Sequence, residues 1–410
     1  MLTCLLRNAH HATARDYFSY YCLAARFTTS RFADGRYHRN LQSVPNFKAC
    51  ESQQGVPSEL EDEISFSEWR KQKTTPLKMK DLYKVGLDKQ RQLQHARYLH
   101  RELRIRMAHA VTSLQSLPPA LTQSAGVGEV IRRHTHSVAK LGNCGCPSNF
   151  VEHSAFTELL EDITNYHEDD LCCITEEVHR FARTPQGHST MSVMDKALRK
   201  FLLMRIGTRL QVKHQIKSQQ DNNASFSGVF QMHGTLEQIA RESAERSAAL
   251  CQERLGQAPS ILVEEDHSTG VDLPCMPAVL SYILNELFKN ACQAVVERYV
   301  GKHTDSLPPV RCHIAQTAAG LHVRISDMGR GISQQQMKKL GQFGHSSNSS
   351  PWCSRKTSDV LSGYGVGLSL CRLYAQYFGG DLTLSSEVGV GTDVFLRIAW
   401  SPDTSECLPS

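Results

Sequence analysis

The sequence predicts two domains, an all-α four-helix bundle followed by an α/β sandwich. From about Thr75 to Gln220, apolar residues recur at steps of three and four, the spacing that places side chains on one face of a helix. After residue 226, short alternating runs typical of strands come between helical runs, without a repeating strand–helix unit. A chain of 410 residues has room for both domains.

The helical half covers residues 73–220. Its first periodic segment, "HARYLHRELRIRMAHAVTSLQSL", ends at Pro118-Pro119, a strong helix stop. Two further periodic segments are "FTELLEDITNYHEDDLCCITEEVHRFA" and "VMDKALRKFLLMRIGTRLQVKHQIK". The runs "GNCGCPSN" and "RTPQGHS" are predicted to be turns. We therefore expect about four antiparallel helices.

The second half covers residues 226–400. A helix, "LEQIARESAERSAALCQERL", precedes a strand, "SILVEED", and a long helix, "AVLSYILNELFKNACQAVVERYV". Two hairpins follow, the first turning at Ala319-Gly320, with the helix "LSLCRLYAQYF" between them. This order predicts a mixed, mainly antiparallel sheet with helices on one face. Residues 41–72 are a predicted linker and residues 401–410 a short tail.

The composition restricts where the protein works. The first 40 residues contain six Arg and two Asp but no Lys or Glu, the composition of a mitochondrial transit peptide or of a retained basic arm. Without this segment the chain is nearly neutral, which argues against nucleic-acid binding. No apolar run approaches the ~20 residues of a membrane span. The scattered cysteines lack zinc-finger spacing and are expected to be free thiols.

A glycine-rich run, "GYGVGL" from Gly363 to Leu368, opens the helix near the end of the second half. Its G-x-G-x-G spacing and late position exclude a Rossmann fingerprint, and no Walker loop occurs in the sequence. An ordinary protein kinase needs H-R-D and D-F-G triplets after its glycine loop, and neither follows here. The run is either a plain turn or part of a different phosphate-binding fold.

Three neighbouring elements favour the second alternative. On the long helix, Glu286, Asn290 and Gln293 share one face, where a carboxylate and a carboxamide suit a magnesium–phosphate site. "DMGRG" places Asp327 at a strand end, with Gly329 and Gly331 allowing a close backbone approach. "GVGTD" presents Thr392 between two strands. Taken alone, each element is better explained as a solvated polar face or a turn.

In this order the four elements resemble the ATP-binding fold shared by DNA gyrase, heat-shock chaperones, MutL proteins and histidine kinases. The motifs "ELFKNA", "RISDMGRGI", "GYGVGL", "RLYAQYFGGDL" and "GVGTDVFLRI" further resemble the mitochondrial 2-oxo acid dehydrogenase kinases, which act on pyruvate or branched-chain dehydrogenases. "TPLKMKDL" and "RIGTRLQVKH" resemble that family's helical domain. The resemblance covers about residues 72–400.

The resemblance implies the roles of the site residues. Glu286 would be the general base for a substrate serine, and Asn290 would hold Mg²⁺ at the phosphates of ATP. Asp327 would accept the adenine amine, and Thr392 would complete the pocket. The other positions implied to contact the nucleotide are Lys289, Gln293, Gly329, Gly331, Ser346, Ser347, Gly363, Tyr364, Gly365, Val366, Gly367 and Leu368.

The resemblance also implies partners and location. The acceptor would be a serine of the α subunit of a 2-oxo acid dehydrogenase, which the phosphorylation inactivates. The bundle would dock a lipoyl domain of the transacylase core, and the enzyme would be a homodimer in the mitochondrial matrix. Tyr282, where pyruvate-specific members tend to have His, and the short tail favour the branched-chain substrate, whereas "RLYAQYFGGDL" favours pyruvate.

Two other functions remain open from the sequence. Gln293 stands where the family usually has Arg, which motivates a catalytically weak adapter that binds lipoyl domains. A histidine kinase is the second alternative, with His109, His167 and His214 as candidate phosphoacceptors. It would transfer phosphate to its own imidazole and not to a serine.

Overall fold

The computed structural model describes residues 66–220, 225–233, 236–266, 271, 273–301, 306–340, 343 and 366–409. The first of these ranges is helical, as predicted. Its helices are α1 (Met79–Val85), α2 (Lys89–Gln115), α3 (Pro119–Thr122), α4 (Ala125–Asn143), α5 (Phe150–Tyr166), α6 (Asp170–Ala182) and α7 (Pro185–Gln220). Over the described residues, no helix has both the length and the apolar character that a membrane crossing requires.

The two longest helices of the bundle, α2 and α7, lie against each other, and α4 and α5 flank them. Their apolar faces meet in a buried cluster that includes Leu99, Leu103, Phe156 and Leu160. Burying each such side chain contributes about 1.5–3 kcal/mol, so packing and not intrinsic propensity stabilises these helices.

The predicted helix through "FTELLEDITNYHEDDLCCITEEVHRFA" is two helices, so this prediction was wrong. α5 ends at Tyr166, and α6 begins at Asp170. The buried Asp170 carboxylate lies 2.7 Å from Nδ1 of His167, which fixes the bend between them. Asn and Asp side chains compete with the backbone for hydrogen bonds, and "NYHEDD" supplies several at the break.

The predicted turn "RTPQGHS" was also wrong, since most of it is the start of α7. Thr184 Oγ1 accepts a hydrogen bond of 3.0 Å from Gly187 N, as an N-cap side chain does. Pro185 occupies the first helical position, where the missing N–H would have no partner in any case. The Thr-Pro pair was therefore a helix start signal.

The second half combines strands and helices in the predicted order. A small hairpin that the sequence analysis missed, β1 (Phe226–Ser227) and β2 (Phe230–Gln231), comes first. The remaining elements are α8 (Leu236–Leu255), β3 (Ile261–Asp266), α9 (Pro277–Tyr299), β4 (Val310–Thr317), β5 (Gly320–Asp327), α10 (Gln334–Met337), α11 (Gly367–Tyr377), β6 (Asp381–Glu387) and β7 (Gly391–Ile398).

Strands β3 to β7 form a mixed five-stranded sheet within the described residues, in the order β3-β4-β5-β7-β6. β3 and β4 are parallel, and every other pair is antiparallel, which confirms the predicted sheet. Helices α8, α9 and α11 pack on one face. The opposite face exposes His313, Arg324 and Phe395.

The residues after β7, 401–409, form a segment that packs between the two halves and that we call the C-terminal segment. Backbone hydrogen bonds join Met79 N to Thr404 O at 2.8 Å and Glu406 N to Leu77 O at 3.0 Å. Cys407 N donates to Tyr377 O, at the end of α11, at 2.9 Å. The predicted tail is thus a structural joint between α1 and α11.

The cysteines of the described residues are free thiols, as the sequence predicted. Cys144 and Cys146 lie in the loop between α4 and α5, and Cys172 and Cys173 lie on α6. Burial raises the pKa of Cys144, and it raises the pKa of Cys172 to about 11. Cys144 and Cys172 therefore stay protonated at neutral pH and are poor nucleophiles.

Candidate nucleotide and phosphoryl-transfer site

Helix α9 separates an apolar face from a polar one, as its sequence predicts. Its apolar stripe, Ile283, Leu284, Leu287, Phe288, Ala291 and Val295, is buried. The Glu286 carboxylate is 15% exposed and lies 2.5 Å from the ammonium group of Lys289. Asn290, one turn further, is exposed. Helix α9 therefore carries an ion-paired carboxylate, Glu286, and an exposed carboxamide, Asn290, on neighbouring turns.

Gln293 continues this face but is buried, and its amide points along the helix. Its Nε2 donates to Glu297 Oε1 at 2.7 Å. The other oxygen of Glu297 pairs with Arg330 at 3.0 Å. Position 293 thus carries an amide, and the Arg330 guanidinium lies one side chain away, beyond Glu297.

Asp327 ends strand β5 beside α9. Its Oδ1 accepts from Gly329 N at 2.8 Å, and the β5–β7 register places Asp327 directly opposite Thr392. Burial raises the pKa of Asp327 to about 6, although backbone N–H groups of Gly329 and Thr392 act in the opposite direction. A carboxylate has about four acceptor positions, so this one can still accept an amine donor.

Close packing explains two glycines of "DMGRG". A Cβ on Gly329 would come within 2.6 Å of the Ala294 methyl on α9, so only glycine lets the loop lie against the helix. Gly331 has φ of +72°, in the left-handed region that favours glycine. Both glycines therefore have a reason within the fold itself, and the predicted close approach of this loop to an adenine ring stays a prediction.

The glycine motif is described only from Val366 onward. Val366 is buried, and Gly367 and Leu368 begin α11. A Cβ on Gly367 would overlap the carboxylate of Glu286, so the start of α11 lies against the predicted base. The predicted site residues Ser346, Ser347, Gly363, Tyr364 and Gly365 lie outside the described residues.

Two residues near the pocket were missed. Ser386 on β6 lies 2.8 Å from Thr392 Oγ1 and accepts from Ile332 N at 2.9 Å. Arg298 at the end of α9 donates to the carbonyls of Met328 and Val390 at 2.9 and 2.8 Å. The alternation of side chains along β6 could have pointed to Ser386 in the sequence. The contacts of Arg298 depend on the tertiary fold and had no such signal.

The candidate phosphoacceptor histidines lie in the bundle, away from this site. His214 is fully buried, and its burial lowers its pKa to about 3. His167 is buried against Asp170, and burial lowers its pKa as well. His109 contacts Gln72 O at 2.8 Å. A phosphoacceptor has to reach the nucleotide, so the burial of His167 and His214 argues against the histidine-kinase alternative.

These elements can together bind a nucleotide and act on a hydroxyl group. Asp327 and Thr392 lie opposite each other and offer a carboxylate and a hydroxyl, groups that can recognise an adenine edge, and α9 and α11 bring a carboxylate next to a helix N-terminus. A helix N-terminus favours anions, and its N–H groups bind phosphate oxygens. The geometry is that of a site for positioning a phosphoryl group beside a base.

Comparisons with known proteins agree with this reading. Residues 76–244 match the family model for mitochondrial branched-chain alpha-ketoacid dehydrogenase kinase. Residues 277–402 match the model for the histidine kinase-, DNA gyrase B- and HSP90-like ATPase. The two models therefore match the helical half and the sandwich separately.

Similar proteins span most of the chain. A mitochondrial pyruvate dehydrogenase (acetyl-transferring) kinase of Arabidopsis thaliana is 27% identical over 372 residues, which cover 88% of this chain and 99% of the relative. The kinase of that name from Drosophila melanogaster is 29% identical over 325 residues, 76% of this chain and 79% of the relative. Isozyme 3 from Homo sapiens is 27% identical over 371 residues, 87% of this chain and 89% of the relative.

The fold and the site define a protein kinase that is built on a histidine-kinase-like ATPase domain and uses ATP. The helical half and the relatives then show which kinases it is similar to. Over most of its length the chain is similar to the mitochondrial 2-oxo acid dehydrogenase kinases, the family that the motifs predicted.

Proposed function

We propose that this kinase phosphorylates a serine on the α subunit of a mitochondrial 2-oxo acid dehydrogenase and thereby inactivates the complex. The observation that carries the proposal is the contact between Gly367, at the start of α11, and the Glu286 carboxylate. It places a phosphate-binding helix terminus beside a base, the two groups that transfer to a hydroxyl requires.

Each site residue has a part in this reaction. Glu286, held by Lys289, orients the serine hydroxyl and accepts its proton. Asp327 and Thr392 bind the adenine edge. Asn290 is the residue that would hold Mg²⁺, and its exposed carboxamide oxygen is a ligand type that this ion accepts. Bound Mg²⁺ neutralises negative charge on the phosphates.

The branched-chain dehydrogenase is the substrate we favour. The helical half matches the model that is named for the branched-chain kinase, whereas the relatives above are named for pyruvate dehydrogenase. Tyr282, one turn before Glu286, packs edge-to-face on Tyr374 of α11 with ring centroids 5.6 Å apart. A residue in this position lies beside the base and can influence which serine approaches it.

The remaining parts of the proposal concern assembly and location. The bundle is the proposed docking domain for a lipoyl domain of the transacylase core. The homodimer is proposed from the resemblance alone, because the sheet face opposite the helices exposes His313 and Arg324 as well as Leu262 and Phe395. The basic, acid-poor first 40 residues support import into the mitochondrial matrix.

One experiment tests the activity and the substrate together. The full chain is incubated with radiolabelled ATP, Mg²⁺ and the α subunit of the branched-chain or the pyruvate dehydrogenase, side by side. We expect acid-stable phosphoserine on the branched-chain subunit at the higher rate. Transfer only to pyruvate dehydrogenase contradicts the substrate choice. No transfer, with normal binding of lipoyl domains, shows the adapter instead.

The Glu286→Gln variant tests the base in the same assay. We expect kcat to fall by about 10²–10⁴-fold, the usual contribution of a positioned base, while ATP binding stays nearly intact. Glu245→Gln is the matched control, because Glu245 is exposed on α8 away from this contact. Full activity of Glu286→Gln would show that the base is another group.

A further inference from the structure

A buried carboxylate in the C-terminal segment joins the two halves of the protein. The side chain of Glu406 is fully buried, and its oxygens lie 2.8 and 2.9 Å from the two terminal nitrogens of Arg106 on α2. Gln211 Nε2 on α7 donates to it at 2.9 Å, and Leu77 N donates at 2.8 Å. The Tyr377 hydroxyl, at the end of α11, donates to it as well.

The burial of these two charges is not explained by stability alone. Burial raises the pKa of Glu406, but the charge and hydrogen bonds of Arg106 and the Tyr377 hydroxyl outweigh it, so the pKa lies below its usual value. Removing two charges from water costs several kcal/mol per ion, and an apolar replacement is often as stable. A buried carboxylate with several donors fixes the relative positions of the elements that carry them, because all of the hydrogen bonds have to converge on the same group.

The end of α11 is the element that this geometry fixes. Tyr377 is fully buried, and its ring lies against α7 at Gly207. A Cβ there would come within 3.0 Å of Tyr377 Cε2 and 2.9 Å of Arg106 Nη1. Cys407 N holds the Tyr377 carbonyl at 2.9 Å. The hydroxyl, the ring and the backbone of one residue are thus all held.

The other end of α11 lies at the phosphoryl-transfer site. The helix has 11 residues, Gly367–Tyr377, and at 1.5 Å per residue it is about 16 Å long. Leu370, Cys371 and Leu373 are buried along it, so it moves as one body. A tilt at Tyr377 therefore changes the position of Gly367 relative to Glu286.

We propose that Glu406 and Tyr377 are positioning residues for phosphoryl transfer, which hold α11 from its far end so that Gly367 meets Glu286. This inference rests on the proposed kinase function. Neither residue touches the nucleotide site, and both act through the helix. The C-terminal segment is then part of the catalytic apparatus although it contributes no group to the reaction.

Tyr377→Phe is the variant that tests the proposal, because it removes the hydroxyl and keeps the ring. Without this hydrogen bond to a charged group the end of α11 is less tightly held, so we expect kcat/KM for ATP to fall by about tenfold or more. Hydrogen exchange of the α11 amides should become faster. Glu406→Gln should act in the same direction.

Two controls separate positioning from stability. Ile163→Val also lowers the bundle's stability, but at a position away from this joint. Asp403→Asn removes the exposed contact of the same segment with Lys80, which is 2.9 Å long. Both should keep the wild-type kcat/KM at temperatures well below Tm. The proposal is overturned if Tyr377→Phe behaves like these controls.

A second readout keeps this test separate from that of the kinase function. Binding of a non-hydrolysable ATP analogue is measured by calorimetry for the wild type and Tyr377→Phe. Weaker binding together with faster α11 exchange supports the positioning role even if no dehydrogenase is phosphorylated. Unchanged binding and exchange overturn it whether or not the wild type transfers phosphate.

Discussion

The interiors of the two halves are built differently. In the bundle, a chain of buried polar side chains runs from His153 through Gln215, His95 and Gln211 to Glu406, with successive polar atoms 2.5–2.9 Å apart. In the sandwich, the buried stripe of α9 and the covered face of the sheet are apolar. Buried polar residues also occur in the sandwich, among them Ser243, Ser247 and Gln316.

This difference separates specificity from stability. Apolar packing tolerates small shifts, whereas each hydrogen bond in a buried network requires one relative position of its partners. The bundle network ends on the residue that holds α11. The apolar interior of the sandwich therefore stabilises that domain, and the bundle determines the position of its last helix, α11.

The largest expected effect comes from breaking the polar interior. Arg106→Met leaves Glu102 and Glu406 buried without their shared cation, so we expect a loss of about 3–5 kcal/mol in the free energy of unfolding. Chemical denaturation measures it, with Arg101→Met on the exposed side of α2 as control. The double variant with Glu406→Leu should recover part of the loss. No recovery would contradict the charge explanation.

A cavity in the apolar interior should cost somewhat less. Leu284 on α9 is fully buried, and Leu284→Ala is expected to lose about 2–4 kcal/mol through lost transfer energy and an unfilled cavity. The loss should be the same at pH 6 and pH 8, since no charge is involved. A loss that depends strongly on pH would show that titrating groups also contribute to the interior of the sandwich around Leu284.

The pH dependence of stability sharpens the comparison. Burial lowers the pKa of His95 and His214, and that of His214 lies near 3. Their neutral forms stabilise the folded state above the unfolded pKa of about 6.5, and this stability is lost as the pH falls below it. Each such histidine should contribute about 1.4 kcal/mol per pH unit.

Denaturation between pH 7.5 and pH 5.5 measures this slope. His214→Gln should flatten it, because Gln can still donate to Leu82 O, which His214 Nε2 contacts at 2.9 Å, without binding a proton. A slope that is unchanged in His214→Gln would assign the acid sensitivity to other groups.

The smallest expected effect concerns Asp327, whose pKa is raised in the folded protein, whereas the pKa values of His95 and His214 are lowered. Its pKa is raised to about 6, so the folded state binds a proton more tightly, and this contribution to stability is lost as the pH rises through 6. An ionised carboxylate accepts an amine best. ATP affinity should therefore fall about twofold at pH 6 and about tenfold by pH 5. Asp327→Asn should remove the inflection in a binding titration.

The sequence predicted what local period and motif order determine. The polar face with Glu286 and Asn290 follows from helical spacing, whereas the register that places Asp327 opposite Thr392 comes from the assembled sheet. The break at His167 and the start of α7 at Pro185 had local signals, but these were outweighed by longer periodic runs. Such boundaries depend on caps that a periodicity argument does not weigh.

The joint around Glu406 could not be predicted, for a physical reason. Arg106 and Glu406 are 300 residues apart, and neither lies in a recognisable motif. An Arg on a helix face is normally solvated, and only the assembled tertiary structure shows that this one is enclosed. The same holds for Gln293, whose amide is directed to Glu297 by contacts that spacing alone does not determine.

The separation of Arg106 and Glu406 also sets an order of events during synthesis. Ribosomes add about 5–20 residues per second, so a gap of 300 residues means that Glu406 is made roughly 15–60 seconds after Arg106. During that time α2 and α7 can pair, but Arg106 has only Glu102 as a charged partner in the joint. The nascent bundle must therefore keep this surface hydrated, and closing it is a late step in folding.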